Sequence, residues 1–151
     1  MRDQLLGELY GSLGQALAFQ APLDASGERF RRAETCFNRA VELFERKGEE
    51  RVERNFLGHL YLDQGRLEAA AELAAGLAGT DAPWPEPVRA AAERGDPYTL
   101  ALCWKAAWEL RRLSRLAPDE VRELDRLAQD FSLEAALGDR AAEHPAEFCA
   151  F

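Results

Sequence analysis

Four valines, three threonines and no isoleucine are spread over 151 residues, so the β-branched side chains that pack best on a pleated sheet are nearly absent. Alanine, leucine, glutamate and arginine take their place, and each loses little freedom in a helix. The chain is expected to be all-α. Its length fits a single domain over residues 1–151 with one continuous core.

Apolar spacing and helix breakers then divide the chain. Leu6, Leu9, Tyr10, Leu13 and Leu17 recur at spacings of three and four, which predicts a helix over 3–20 with these residues on one face. Pro22 and Gly27 interrupt it. A second helix over 28–47 carries Phe30, Ala33, Phe37, Ala40, Val41 and Phe44. A third, over 50–64, carries Val52, Phe56, Leu57, Leu60 and Tyr61. Gly65 turns the chain into a fourth over 66–78. Three prolines between 83 and 87 force a loop around Trp84. A short helix over 87–94 follows, and Asp96 and Pro97 are suited to cap and start a long one reaching Leu116. Helices over 118–130 and 133–143 complete the reading.

The formal charge of −8 and the interleaving of arginine with glutamate leave no basic stripe, which argues against nucleic acid as a partner. Cys36, Cys103 and Cys149 are far apart and form no CxxC pair, so neither a metal site nor a redox pair is expected. A reducing compartment, the cytoplasm, fits these thiols. No apolar run approaches the ~20 residues of a membrane span, and the first residues lack the pattern of a secretory signal.

Internal repetition carries the most specific signal. The segment Leu57-Gly58-His59-Leu60-Tyr61, with Gly65 and then Ala69-Ala70, resembles the first helix and helix-B alanine of a tetratricopeptide repeat. Ala33, Phe37 and Ala40 resemble the second-helix signature of the same family, and Tyr10, Leu13 and Gly14 its first-helix signature. A second register, on Leu6-Gly7 with Tyr10, is equally open. The likeness covers residues 4–78. It departs from the family at the insertion Ala21–Gly27, and at Ala74 and Leu77, where a large residue and an alanine are usual. The helices of 86–144 have lost the motif and would serve as divergent or capping elements.

The resemblance implies antiparallel helix pairs stacked as a short right-handed solenoid, with small residues such as Gly14, Gly58, Ala33 and Ala70 at the close approaches. It also implies a concave groove that holds a peptide or helix of a partner protein. Its lining would include Glu8, Gly11, Gln15, Ala18 and Phe19 from the first helix, and Val52, Asn55, His59, Leu62 and Asp63 from the third. Asn55 and His59, one turn apart, would hydrogen-bond an extended backbone; otherwise the two are solvated polar side chains. The lysines with which some family members hold a C-terminal carboxylate are missing, and Glu8 and Asp63 favour a basic or apolar segment.

Trp104 and Trp108 lie four residues apart on one helix face. Core packing is the plain expectation for them, and an aromatic anchor for a partner or for a second copy the sharper one. A regulatory domain holding a small molecule among these tryptophans is the alternative function. Two histidines, and no HExxH, GxSxG or phosphate-binding loop, give catalysis little to work with. A scaffold without cofactor or metal is expected, rather than an enzyme.

Overall fold

The computed structural model describes residues 2–45 and 48–130. They are all-helical: α1 (Arg2–Gln20), α2 (Glu28–Glu45), α3 (Arg51–Asp63), α4 (Leu67–Ala78), α5 (Glu86–Glu93), α6 (Pro97–Arg112) and α7 (Pro118–Asp130), with a 3-10 turn over Ala21–Leu23. The helix expected over 133–143 lies outside the described residues. The chain forms two compact units, Met1–Ala70 and Ala71–Phe151.

In the first unit α1 and α2 run antiparallel and touch along glycine. A β-carbon at Gly7 would fall 2.7 Å from the Phe44 ring, and one at Gly14 would fall 2.8 Å from the Phe37 ring. The buried residues of α1 are accordingly Gly7, Gly11, Gly14 and Leu17. The leucine stripe expected there is only partly inside: Leu9 and Leu13 are 57% and 45% exposed. An aromatic ring pressed against the backbone of α1 leaves no room for a leucine on the same face, so those side chains turn outward. On its other side Phe37 stacks on Phe56 of α3, with ring centroids 5.9 Å apart and planes 8° from parallel. One buried ring thus joins three helices.

The insertion between α1 and α2 is built as a cap. Asp24 accepts from the backbone N–H groups of Ser26 and Arg29, each at 3.1 Å, and from the Ser26 hydroxyl at 2.7 Å. Ser26 Oγ in turn accepts from the Glu28 N–H at 3.2 Å, so donors at the start of α2 find partners outside the helix. The α3–α4 turn closes with the Gly65 N–H on the Leu62 carbonyl and the Arg66 N–H on the Tyr61 carbonyl. This closure needs the positive φ of 72° that Gly65 adopts. Arg66 then lies 4.2 Å over the Tyr61 ring and pairs with Glu34 at 3.0 Å.

The second unit is packed through alanine. Ala74, Ala106 and Ala107 are fully buried, and the Cys103 thiol donates to the Ala74 carbonyl at 3.5 Å. Ala74, out of place in the family pattern, leaves the α4 backbone open to α6. Asp96 caps α6 as expected, accepting from the Thr99 N–H at 3.2 Å and the Thr99 hydroxyl at 2.7 Å. That helix stops at Arg112, short of Leu116. There Ser114 takes a φ of 56°, and the N–H groups of Ser114 and Arg115 close on the carbonyls of Arg111 and Leu110. Arg89 ties α5 to α7 through Glu123 at 2.7 Å, and Arg111 ties α6 to α7 through Asp125. Among the described residues no helix is long and apolar enough to cross a membrane.

Two outcomes follow from this packing. Gly14→Ala gains about 1 kcal/mol of helix propensity but overpacks the Phe37 ring at a cost of about 1–3 kcal/mol. A lower denaturant midpoint is therefore expected, partly restored by adding Phe37→Leu; an unchanged midpoint would mean the α1–α2 approach is not limiting. Burial pushes the Cys103 thiol up to about 12. Alkylation of the folded chain at neutral pH should leave Cys103 unmodified in peptide mass maps and reach it only under denaturant.

Candidate functional site

The expected groove residues separate into three environments. Glu8 and Gln15 lie on one side of α1 and are exposed, with Gln4 donating to Glu8 at 3.2 Å. Between them in sequence is Gly11, buried, where a β-carbon would fall 3.3 Å from Oε1 of Glu53. Glycine here lets the Glu53 side chain of α3 lie against the α1 backbone. Burial pushes its carboxyl up from the ordinary value of 4.5. On α3 itself Val52 and Asp63 are exposed and Leu62 is half-buried.

Asn55 and His59 are elsewhere. They are 2% and 5% exposed, within the packed interior rather than on an open wall. Asn55 donates its Nδ2 to the Arg51 carbonyl one turn back, at 2.9 Å. The pair is neither the solvated surface nor the open hydrogen-bonding edge that its spacing suggested. Of the expected lining residues Glu8, Gln15, Phe19, Val52 and Asp63 are exposed, and a residue outside that set, Glu53, lies against Gly11. Glu53 was missed because one glutamate in a chain rich in them looks like surface; the clue was Gly11, a glycine in mid-helix with no turn to make. Phe19, expected to line the groove with Gln15 and one turn on from it along α1, is 84% exposed.

In the second unit Trp104 and Trp108 are both half-buried and meet edge to face, with centroids 6.1 Å apart and planes at 70°. Arg111 covers the Trp108 ring at 4.8 Å while pairing with Asp125, so one ring face is already in use by the chain. An open cleft of about 590 Å³ lies at the proline-rich loop, lined by Trp84, Pro85, Glu86, Arg89, Asp119 and Glu123 among others. Arg89 is held between Glu86 at 3.5 Å and Glu123 at 2.7 Å, and its neighbours give the cleft an acidic rim. From the sequence Trp84 is placed only within a proline-rich loop. Nothing in the spacing of Trp84 and Asp119 announces that they share a wall.

The half-buried carboxyl of Glu53 has a measurable signature. The folded chain keeps that proton at pH values where the unfolded chain has released it. Stability from this group is therefore greatest below 4.5, falls as pH rises through the raised folded value, and is level above it. Glu53→Gln, similar in shape and uncharged, should raise the melting temperature at pH 7 and lose that advantage near pH 4. A Glu53→Gln gain independent of pH would show that the carboxylate is not desolvated. Compared with protein-family models, curated proteins and solved structures, the chain matches none.

Proposed function

We propose that this chain is a protein-interaction scaffold of the tetratricopeptide type, which holds a basic or apolar segment of a partner protein along the face shared by α1 and α3. It is read as a binding protein, not an enzyme, that works in the cytoplasm. The observation that carries this reading is Glu53, a carboxylate desolvated against the bare backbone of Gly11 and flanked on α1 by exposed Glu8 and Gln15. A lysine or arginine brought there would stabilise the ionised form that burial disfavours. Val52 is also exposed on α3.

Support for the tetratricopeptide reading comes from the packing. Gly7 and Gly14 sit under Phe44 and Phe37, and Ala33, Ala40 and Ala70 have no exposed surface. These are the small-against-large contacts that the repeat pattern implies. The arrangement of the helices as a right-handed solenoid, with divergent helices after residue 86, is part of the same proposal.

The test is fluorescence anisotropy with two labelled peptides of equal length, one alternating lysine with leucine and one alternating glutamate with leucine. The cationic peptide is expected to bind, more weakly in salt, and to lose several-fold in affinity in Glu53→Gln. Its affinity should also fall as pH is lowered through the raised Glu53 value, because binding requires the carboxylate. Equal binding of both peptides, or binding indifferent to Glu8→Gln and Glu53→Gln together, would sink the assignment of this face.

A further inference from the structure

The outer face of α1 has no counterpart elsewhere in the described chain. Charged residues make up 30% of the sequence, yet none occurs from Leu9 through Leu23. Leu5, Leu9, Ser12, Ala16 and Phe19 recur at alternating spacings of four and three, which sets them in one seam along the helix. That seam lies opposite the glycines that bury the inner face. Leu5 is 58% exposed, Leu9 57%, Leu13 45% and Phe19 84%. A helix apolar on both sides is normally covered on both.

We infer that a second copy of this chain covers it, with α1 packed antiparallel against α1 of the partner subunit about a two-fold axis at Ser12. The seam is complementary to itself in that register. Leu5 of one copy meets Phe19 of the partner subunit, Leu9 lies beside Ala16 of the partner subunit, and the small Ser12 lets the helices close at the centre. Charge selects the same face. Two copies of formal charge −8 repel wherever acidic surfaces meet, and here the contact opposes no like charges, since Glu8 falls beside the uncharged 15–16 segment. A heterologous acidic or basic surface would gain nothing from a face without charge.

The area fits a reversible dimer. At roughly 100 Å² for a leucine and 200 Å² for a phenylalanine, the four exposed side chains offer about 300 Å² per copy. Doubled by symmetry, and with Ser12, Ala16 and Gln20 beside them, they approach the ~1,000 Å² of a specific but transient interface. The seam borders Glu8 and Gln15, which the proposed peptide face also uses, but the inference rests on the exposed apolar residues of α1 and not on Glu53.

Sedimentation of the full chain over concentrations bracketing ~10 µM tests it. Dimerisation is expected in this range, and Leu9→Glu, at an exposed position, should give a monomer with unchanged helicity. Ser12→Cys in a Cys149→Ser background should trap the dimer under mild oxidation. A monomer at every concentration overturns the proposal. So does a dimer that survives Leu9→Glu, a dimer dissolved by Trp108→Glu but not by Leu9→Glu, or a dimer that Ser12→Cys fails to crosslink.

Discussion

Phe37 holds the first unit together from the middle. Its ring lies against the α1 backbone at Gly14 on one side and stacks on Phe56 of α3 on the other. The distance between α1 and α2 is therefore set by the edges of aromatic rings against bare backbone, not by two interlocked layers of aliphatic side chains. Phe44 repeats the contact at Gly7, two helical turns away. Dispersion attraction rises steeply at such short range. Once the two rings are seated, the direction of α1, the exit into the Asp24 cap and the position of α3 follow.

That constraint also explains an amphipathic helix that reads backwards. In most surface helices the leucines face inward. Here the close approach reserves the inward face for glycine, and Leu9 and Leu13 are displaced to solvent. The sequence pattern could be seen as a leucine stripe or as a glycine stripe, since Leu6, Leu9 and Leu13 and Gly7, Gly11 and Gly14 share the same periodicity. Hydrophobicity favoured the first. Only the phenylalanines of the next helix, whose rings need a place to go, favour the second.

Helix boundaries were far more legible than faces. Pro22, Gly65, Pro97 and Pro118 act through their own backbone chemistry and Asp96 through a bond to a residue three positions on, so α2 through α5 and α7 begin and end within a residue or two of expectation. The exception is α6, where Ser114 takes a left-handed φ that its residue type does not announce. Burial of polar groups was the least legible feature. Asn55 and His59 look like surface from their neighbours in sequence, but their environment is made by residues distant along the chain. The same holds for Glu53, whose proton affinity depends on a glycine forty-two positions earlier, and for the cleft at Trp84 and Asp119.

The alanines of this fold carry a further consequence for how it tolerates variation. Ala33, Ala40, Ala70, Ala74, Ala106 and Ala107 have no exposed surface at all, and with Gly7 and Gly14 they occupy the narrowest places between helices. A structure of this kind has little to lose by deletion at those points, because almost nothing is there to delete. Its vulnerability is to gain: an added methyl group meets a ring at Gly7 and at Gly14, and a close-packed interior resists enlargement at the buried alanines as well. Truncation to alanine, the usual way of finding the positions on which a fold depends, would pass over most of them in silence, whereas enlargement to valine or threonine would trace the helix contacts one by one.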